Sequence, residues 1–585
     1  MERSSLCWAW IAALAVLTMV GCAPTNFTRC SDEIDTTSPV LSNGFAFNLS
    51  NTGNNVSQID STNVAKLKLA LSEAASGVSE RRGAPAMTKQ AIFFAAGQNV
   101  IAMNRMSSCQ YWSYRVPDRR TLAGTNAVRS SSIYYLNEGG AKPALILVGD
   151  FYGNFYAIAA QAGKLVWSKF IGTDKDRHTI TGGTQFYAGT LFVPVASKEV
   201  GTALLEFGSD CCKSHGMLQA LDPYTGNIIW SYNTAPAATL DTAINRYAPN
   251  GMSIWSTPAV DPKRRSVYIG TGQNYTPPAT ANEDSIVALD MDTGRTKWVF
   301  QGSSGDVWNV SCQAPLKILR RNCLPAPPGG GDLDFGAPPI LAHLSNGTDA
   351  VLAGEKSGML FSLDPDSGRA NWSLRMGTGG RLGGIHWGMA IDADRVYAGV
   401  TDVTVDETVI LNARDTINFQ DLAGDNMKQP ANARPGIYAV DLITGKVIWE
   451  KHPKHPYHDP VKGVLSVDSI YSAALSVTND VVFAGSLDGV VKAFRSSDGA
   501  ELWSYDTTPK FTDGNGTSGN GGTIDSAGAV PGGSDLLVNS GFATFGRANK
   551  FQAGPGNALL VFRIPVDDVP AAKIRDGHSA ANDTR

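Results

Sequence analysis

Two adjacent cysteines, Cys211 and Cys212, have the most distinctive chemistry in this chain and lie in the segment GSDCCKSHG (208–216). Neighbouring cysteines cannot usefully cross-link distant parts of a fold. If they bond to each other, they close a strained ring of backbone, and strain of that kind usually serves a site rather than stability. The alternative is that each cysteine bonds to a cysteine elsewhere. The pair therefore indicates a functional site around this segment, with both pairings open.

The N-terminus has the features of an export signal. Its apolar run, from about Leu6 to Val20, is too short for a comfortable membrane span. A Gly followed by Cys22 at the end of this run resembles a lipoprotein box, in which Cys22 becomes the acylated first residue of the mature chain. The alternative is an ordinary cleaved signal. We expect a signal peptide over 1–21, a linker over 22–45, and a periplasmic protein held to the outer membrane only through its N-terminal lipid.

The other cysteines are expected to form disulfides, because an exported chain reaches an oxidising compartment. Cys312 and Cys323 bracket a short loop and are expected to pair. Cys30 with Cys109 is a remainder assignment, which applies if Cys211 and Cys212 bond to each other. No C-x-x-C-H motif occurs in the sequence, so the chain carries no covalent c-type haem.

The charge and composition exclude one class of partner and favour one fold class. The net charge is −4 with both signs mixed along the chain, which leaves no electrostatic footprint for nucleic acid. The chain contains 61 Gly, 30 Pro and 12 Trp among 585 residues, and charged residues are sparse. This is a turn-rich, aromatic-rich β composition with ample apolar residues for a large core.

One pattern recurs along the whole chain: an apolar strand, a tight turn of the D-x-x-T-G type, and a second strand that ends in Trp. The Gly is free to take positive φ in the turn, and alternating apolar residues mark the strands. Before most copies stands another apolar strand that ends in Gly, such as SVYIGTG (266–272). Repeated units of four short strands predict an all-β fold, a β-propeller with Trp packed between blades. The copies end at Trp112, Trp167, Trp230, Trp298, Trp372, Trp449 and Trp503.

The two ends of the chain complete the ring. NVAKLKLALS (63–72) is a strand with no preceding copy, and NALLVFRIP (557–565) is a strand with no following Trp. Together they supply an eighth blade. We therefore predict an eight-bladed β-propeller over 46–565, closed by N- and C-terminal strands, with a disordered tail over 566–585.

Several blocks of sequence resemble the PQQ-dependent (quinoprotein) alcohol dehydrogenases. These are the Trp-bearing repeats, the Cys pair followed by an ALDPYTG hairpin, IWSTPAVDPKRRSVYIGTG (254–272), GEKSGMLFSLDPDSG (354–368), LGGIHWGMA (382–390) and GSLDGVVKAF (485–494). The blocks that look like the polyvinyl alcohol dehydrogenase branch in particular are DVWNVSC (306–312), GDLDFGAPPIL (331–341) and GGTIDSAGAV (521–530). The resemblance covers nearly the whole chain, from about residue 45 to residue 565.

The resemblance implies that pyrroloquinoline quinone (PQQ) is the cofactor. In these enzymes a vicinal disulfide lies against one face of PQQ and a Trp stacks on the other, which here implies a Cys211–Cys212 disulfide and Trp255. A flat tricyclic cofactor needs two flat, rigid surfaces. The other cofactor-binding positions that the resemblance implies are Arg129, which grips a cofactor carboxylate, Lys356, which reaches the quinone oxygens, and Trp387 in LGGIHWGMA.

The resemblance also implies a catalytic Ca²⁺ ion. Glu199 matches its carboxylate ligand, with Glu206 as a second candidate, since this ion takes hard oxygen ligands. The calcium Asn of the methanol-oxidising relatives falls on Gln273, so we assign the amide ligand to its neighbour Asn274. Asp306 is the third expected ligand.

The implied reaction is oxidation of an alcohol, secondary or polymeric, to a carbonyl. A carboxylate takes the hydroxyl proton while hydride passes to the quinone, which Ca²⁺ polarises. The catalytic Asp of the methanol-oxidising relatives directly follows a Trp, and that position is Asn309 here. Asp306, in D-x-W-N, is therefore the expected base, with Asp332 and Asp334 as alternatives. Electrons are expected to leave to a separate cytochrome c or another soluble acceptor.

Two other functions stay open on sequence alone, because a fold does not decide a function. The scaffold lipoprotein of outer-membrane barrel assembly has similar repeats and a lipid anchor but no cofactor. That scaffold is much shorter and lacks vicinal cysteines, which favours the enzyme. A degenerate quinoprotein that acts as a sensor is the other alternative, because Gln273 and Asn309 depart from the pattern of the methanol-oxidising relatives.

Overall fold

The computed structural model describes residues 28–75, 78, 81–118, 120–121, 124–125, 127–206, 211–314, 317–324, 331–405, 427–428, 432–452, 470–542 and 553–565. These residues form eight antiparallel sheets, each built on four strands that follow one another in space. The sheets are the blades of a propeller, numbered here in chain order. The predicted signal peptide, Cys22 and the predicted tail lie outside the described residues.

The first four blades come from the N-terminal half of the chain. Their strands are Ala86–Thr88, Ala91–Ala96, Asn99–Asn104 and Gln110–Arg115 in blade 1; Tyr134–Leu136, Leu145–Gly149, Asn154–Ala159 and Leu165–Phe170 in blade 2; Gln185–Tyr187, Thr190–Ser197, Met217–Leu221 and Ile228–Asn233 in blade 3; and Ala259–Asp261, Ser266–Gly270, Ser285–Asp290 and Thr296–Gln301 in blade 4. Val40–Ser42 adds a fifth strand to blade 1, and His178–Thr179 pairs with blade 3.

The remaining blades follow the same plan. Their strands are Ile340–His343, Asp349–Gly354, Met359–Leu363 and Ala370–Arg375 in blade 5; Ala390–Ile391, Arg395–Val400, Gly436–Asp441 and Val447–Lys451 in blade 6; Ser476–Thr478, Val481–Gly485, Val490–Arg495 and Glu501–Asp506 in blade 7; and Ala529–Gly532, Asp535–Ser540, Ala558–Arg563 and Lys68–Ala74 in blade 8. Blade 8 joins the two ends of the chain, since Lys68 pairs with Arg563 and Ala74 with Ala558. The predicted closure of the ring is confirmed.

Short elements lie in the connections between blades and between strands of one blade. Four two-stranded ribbons are Arg120–Thr121 with Gly124–Thr125, Thr239–Asp241 with Arg246–Ala248, Thr404–Val405 with Met427–Lys428, and Lys510–Thr512 with Ser518–Asn520. The helical turns are Val64–Lys66, Glu199–Thr202, Val310–Gln313 and Lys317–Asn322. None of the helices in the described part of the chain has the length and hydropathy needed to span a bilayer.

The repeated Trp docks each blade onto the next. Trp230 Nε1 donates to Met291 O (3.1 Å), and a Cβ added to Gly294 would come within 2.5 Å of the Trp230 ring. The turn glycine is therefore required both by its positive φ of 69° and by this close approach. Trp112, Trp167, Trp298, Trp372 and Trp449 donate in the same way to a backbone oxygen of the following blade. Trp503 packs edge-on against Phe562 of blade 8 instead (5.3 Å between ring centroids).

The segment 28–45 packs onto blade 1, although the sequence predicted a linker over 22–45. Cys30 forms a disulfide with Cys109, and Val40–Ser42 pairs with Ala86–Thr88. Ile34 and Phe45 are buried, because they enter apolar clusters shared with blades 1 and 2 and with the cavity region. This part of the chain thus belongs to the folded propeller.

Candidate active site

A cavity of about 500 Å³ lies where loops from most of the blades meet. Polar and charged side chains on its wall come from segments far apart in sequence: Arg82, Arg129, Lys198, Gln273, Asp332, Asp334, Lys356, Arg381 and His386. Aromatic and aliphatic side chains complete it: Phe151, Val200, Leu204, Leu205, Trp255, Tyr275, Trp308, Val310, Trp387 and Phe542. A concave site with an apolar wall and a few converging charges is the usual form of a small-molecule site.

Trp255 provides a rigid flat surface on this cavity. Its Nε1 donates to Asp334 Oδ2 (3.0 Å), and a Cβ added to Gly336 would come within 2.0 Å of the ring. The glycine therefore lets backbone lie directly against the indole. Trp387 meets Trp255 edge-to-face, with 5.3 Å between ring centroids. The indole is held at its edge, at its nitrogen and by the Gly336 backbone, which fixes its plane.

A lysine and two carboxylates converge beside Trp255. Lys356, in the loop between two strands of blade 5, places Nζ 2.8 Å from Asp332 Oδ1 and 3.5 Å from Asp334 Oδ2. Asp334 Oδ1 accepts from the backbone N of Gln273 (3.1 Å). Burial raises the pKa of Asp334 to about 7, and Lys356 opposes that rise. Burial would lower the pKa of Lys356, but the two carboxylates hold it above its ordinary value. A carboxyl with a pKa near neutral can act as a general base.

Asp306 lies behind the cavity wall rather than on it. Its carboxylate accepts from the backbone N of Gly331 (3.1 Å) and of Leu333 (2.6 Å), so it fixes the turn that carries Asp332 and Asp334. It is 1% exposed, and burial raises its pKa. The expected base thus takes a supporting place, while the two alternatives from the sequence line the cavity.

Three arginines surround the cavity, and two of them were not foreseen. Arg129, expected from the sequence, lies over the rings of Phe151 (5.9 Å) and Phe542 (5.8 Å). Arg82 lies over Trp387 (5.0 Å). Arg381 lies over Trp308, and its burial lowers its pKa to about 10. Arg381 directly precedes the block LGGIHWGMA, which was the signal that could have found it; Arg82 has no motif around it.

His386 is a further cavity residue that the sequence analysis did not assign. Its Nδ1 is within 2.7 Å of Ser472 Oγ, and its ring packs against Trp255 and Trp387. Burial and the nearby cations Lys356, Arg82 and Arg381 hold its pKa well below its usual range. The imidazole is therefore neutral, and it fills space beside the aromatic platform.

The Cys211–Cys212 disulfide is present but lies beneath the cavity wall. Residues 199–206, named here the wall segment, supply Val200, Leu204 and Leu205 to the cavity. Both cysteines are fully buried and pack against Val200, Ala203 and Tyr275. The sequence placed this disulfide against a cofactor face. The structure places wall-segment side chains and Tyr275 between it and the cavity.

None of the three expected metal ligands, Glu199, Asn274 and Asp306, lines the cavity, although the backbone N of Asn274 donates to Asp306 O (3.1 Å). Both oxygens of Glu199 accept hydrogen bonds, from Arg177 Nε (2.9 Å) and from the backbone N of Lys213 and of Ser214. Asn274 is fully buried, and its Oδ1 accepts from the backbone N of Thr280 (2.9 Å). Gln273, not Asn274, reaches the cavity. Among the described residues, no group of three or more His, Cys, Asp or Glu is spaced to hold a metal ion.

Comparisons with known proteins identify the family. The model for the glucose/ethanol/alcohol dehydrogenase β-propeller domain matches residues 54–320, and the model for the outer membrane protein assembly factor BamB matches residues 356–524. The polyvinylalcohol dehydrogenase of Sphingopyxis sp. (strain 113P3) is 32% identical over 478 residues, which are 80% of this chain and 67% of that enzyme. A polyvinylalcohol dehydrogenase of Pseudomonas sp is 30% identical over 481 residues, 80% of this chain and 68% of that enzyme. The chain belongs to the PQQ-dependent alcohol dehydrogenase family.

Family membership makes this protein an oxidoreductase rather than a scaffold without a cofactor. A solved structure agrees on the fold: the quinohemoprotein alcohol dehydrogenase from Comamonas testosteroni superposes with a TM-score of 0.61 at 19% identity, covering 90% of this chain and 80% of that one. The predicted eight-bladed propeller and the predicted family are both confirmed.

The residues of the cavity fit PQQ, which is flat and carries three carboxylates. The platform of Trp255 suits a planar ring system, and Arg82, Arg129, Lys356 and Arg381 suit carboxylates. The polar atoms Trp387 Nε1, Thr179 Oγ1 and Thr181 Oγ1 are buried and have no hydrogen-bond partner within the described part of the chain. All three residues line the cavity, so a ligand with several acceptors would satisfy them.

Proposed function

We propose that this protein oxidises an alcohol to a carbonyl with PQQ held in the cavity, and that Asp334 takes the hydroxyl proton. One observation carries the proposal: Asp334, Trp255 and Lys356 form a connected group on the wall of a cavity ringed by arginines. When bound, PQQ supplies the quinone that accepts the hydride. The chain's own residues would bind and orient the cofactor and remove the hydroxyl proton of the alcohol.

Binding and orientation fall to the platform and the cations. Trp255, whose plane is fixed by Gly336 and Asp334, would support the planar ring system. Arg129 and Arg82, which both lie over the Phe542 ring, would hold carboxylates of the cofactor. Lys356, which is almost fully buried, would supply the positive charge that stabilises negative charge on the reduced quinone.

Proton transfer falls to Asp334. Asp332 is engaged by Lys356 at 2.8 Å and faces Arg381 at 3.9 Å, so its charge is neutralised in place. Asp334 lies farther from Lys356, and its pKa near 7 matches a base that works at neutral pH. Asp334 therefore accepts the hydroxyl proton at its carboxylate, and Lys356 steadies the carboxylate that forms again when the proton leaves.

The substrate, acceptor and location are proposals that rest on relatives and on the cavity lining. Val200, Leu205 and Val310 give part of the cavity wall an apolar surface, which suits a secondary alcohol or a polymer such as polyvinyl alcohol. Two relatives carry cytochrome c in their names, lupanine 17-hydroxylase and methanol dehydrogenase subunit 1. We therefore propose a separate cytochrome c as acceptor. From the N-terminal apolar run and the Gly before Cys22, we propose a periplasmic enzyme anchored by lipid at Cys22.

The test is dye reduction by the purified protein reconstituted with PQQ, using 2-propanol, 2-hexanol and polyvinyl alcohol as substrates. Turnover that needs both PQQ and alcohol supports the proposal. A chelated sample, assayed before and after Ca²⁺ is added back, tests the calcium dependence separately. PQQ binding without turnover on any alcohol would favour the sensor, and a folded protein that binds no PQQ would contradict the proposal.

A further inference from the structure

The wall segment forms one side of the cavity although it contains only one helical turn. Glu199–Thr202 is that turn, and the rest of the segment is irregular. Backbone hydrogen bonds within the segment run from Ala203 N to Glu199 O (3.0 Å) and from Leu205 N to Thr202 O (2.8 Å). A stretch this short is not stable on its own hydrogen bonds alone. Its position must come from the neighbours that bind it.

The first set of contacts lies beneath the segment. Glu199 is tied to the backbone N of Lys213 and of Ser214, directly after the Cys211–Cys212 disulfide. The disulfide packs against Ala203 and Tyr275. Asn250 Nδ2 donates to Cys212 O (2.9 Å), and Asn250 Oδ1 accepts from the backbone N of Tyr275. The disulfide is thus bound to the body of the propeller on one side and to the wall segment on the other.

The second set of contacts comes from the loop closed by the Cys312–Cys323 disulfide. Asn322 Nδ2 donates to Ala203 O (2.7 Å) and to Glu206 O (2.9 Å). Asn309 Nδ2 donates to Asn322 O and to Tyr275 O (2.9 Å each). Asn309 and Asn322 are both fully buried. Asn309, the position to which the resemblance assigns the catalytic Asp of the methanol-oxidising relatives, is therefore part of the support of the wall.

We infer that the two disulfides, joined through Asn309 and Asn322, clamp the wall segment and thereby set which alcohols the cavity accepts. Cys211–Cys212 supports the segment from beneath, and Cys312–Cys323 fixes the loop whose Asn322 holds two of its carbonyls. This inference rests on the proposed alcohol oxidation for its functional half. Its structural half stands on the contacts alone.

The clamp is expected to affect the binding of an alcohol more strongly when the alcohol has a longer alkyl chain. Val200, Leu204 and Leu205 are the wall segment's apolar contribution to the cavity. An alcohol with an alkyl chain beside the carbinol carbon gains from these contacts, and a short alcohol gains little. Asp334 and Lys356 belong to blade 5 and its entry loop, so loosening the wall segment leaves them in place.

Hydrogen–deuterium exchange of the full chain tests the structural half without any turnover. In Asn322→Ala and in the double variant Cys211→Ala/Cys212→Ala, backbone amides of residues 199–206 are expected to exchange about tenfold faster. The first variant loses two hydrogen bonds to the segment, and the second loses the disulfide that packs against it. The matched control is Cys30→Ser/Cys109→Ser, which removes the disulfide at the edge of blade 1. Unchanged exchange of 199–206 in both test variants, or equal acceleration in the control, would overturn the clamp.

Kinetics and PQQ titration of the same variants test the functional half. We expect KM for 2-hexanol to rise about tenfold, KM for 2-propanol to change less than about threefold, and kcat to stay within about twofold. PQQ affinity, measured by tryptophan fluorescence, is expected to change less than about threefold. A loss of PQQ affinity as large as the rise in KM would instead place the Cys211–Cys212 disulfide on the cofactor. Absence of turnover in the unmutated protein would contradict the proposed function while leaving the exchange result interpretable.

Discussion

The tryptophans that end the blade hairpins and the tryptophans of the cavity differ in their position relative to the repeat, in their packing and in their hydrogen-bond partners. A hairpin tryptophan such as Trp230 lies at a fixed place in the repeat, packs on a turn glycine and donates to a backbone oxygen of the next blade. A cavity tryptophan lies in an irregular segment. Trp255 donates to the carboxylate of Asp334, and Trp387 Nε1 has no partner in the described part of the chain.

The position of a tryptophan relative to the repeat therefore indicates its role. A tryptophan at the repeat position is packed and hydrogen-bonded by neighbouring blades, so it contributes to stability. A residue out of register leaves a planar face or a polar atom for a ligand. The same fold therefore carries structural and functional tryptophans that respond differently to substitution.

The largest expected effect comes from removing the charge that Trp255 contacts. Asp334→Asn keeps an acceptor for Trp255 Nε1 but cannot take a proton, so kcat is expected to fall about 10³-fold. PQQ affinity is expected to stay within about threefold, because the platform is unchanged. The measurement is steady-state dye reduction with a PQQ titration.

Asp306→Asn is the matched comparison for this variant. It removes an acceptor of the 331–333 backbone, so its main expected effect is a lower melting temperature. If Asp306→Asn abolished turnover at full stability while Asp334→Asn kept it, the assignment of the base would be reversed.

Trp230→Ala tests whether a hairpin tryptophan contributes to stability without contributing to PQQ binding. The variant leaves a cavity between blades 3 and 4 and is expected to cost about 3–5 kcal/mol of unfolding free energy. PQQ affinity below the melting transition is expected to be unchanged, since the cavity is remote from this contact. Chemical denaturation and a PQQ titration measure the two quantities. Trp255→Ala should give the opposite pattern, and equal loss of stability and affinity in both variants would break the distinction.

The pH dependence of kcat/KM tests whether Asp334, the carboxylate beside Trp255, is the base. Burial raises the pKa of Asp334 to about 7, so the group is protonated below that pH and cannot accept the hydroxyl proton. Activity is therefore present above about pH 7 and is lost as pH falls, by about tenfold per pH unit in kcat/KM. A profile that is flat through neutrality would show that another group is the base.

The smallest expected effect concerns Trp387. Trp387→Phe removes the unpartnered Nε1–H but keeps an aromatic ring, so PQQ affinity is expected to fall about fivefold with no change in melting temperature. Fluorescence titration measures the affinity. Unchanged affinity would mean that Nε1 does not face the cofactor.

The propeller could be predicted from the sequence because its cause is local and repeated. Each hairpin carries its own turn glycine and its own Trp, and the strands at 68–74 and 558–563 are apolar segments left over at the two ends. Repetition makes the pattern visible even where single strands are weak signals. The segment 28–45 escaped prediction, since its order depends on the Cys30–Cys109 bond and on packing against blade 1.

The cavity could be predicted only in part. Trp255, Arg129, Lys356 and Trp387 all reach it, because each lies in a block that resembles the family. Whether a side chain lines the cavity or lies behind its wall depends on tertiary packing, which such a block of sequence does not specify. Both D-x-W-N and GDLDFG contain plausible bases, and only the fold shows that the carboxylate of Asp306 is used by the backbone of 331–333.

The vicinal cysteines show the same limit. Their identity suggested a surface for a cofactor, and nothing in GSDCCKSHG shows that residues 199–206 fold over them. The Arg82 side chain reaches the cavity from the entry to blade 1 with no motif around it. The positions of the Cys211–Cys212 disulfide and of Arg82 depend on contacts between segments far apart in sequence. One sequence alone does not show those contacts.

Binding of PQQ in the cavity is tested by titrating the oxidised, full-length protein with PQQ, followed by tryptophan fluorescence and calorimetry. We expect saturable binding of about one PQQ per chain with Kd at or below about 1 μM, abolished in Trp255→Ala and retained in Trp230→Ala below its melting transition. No binding at about 100 μM PQQ by the folded protein, or equal binding by both variants, would contradict it.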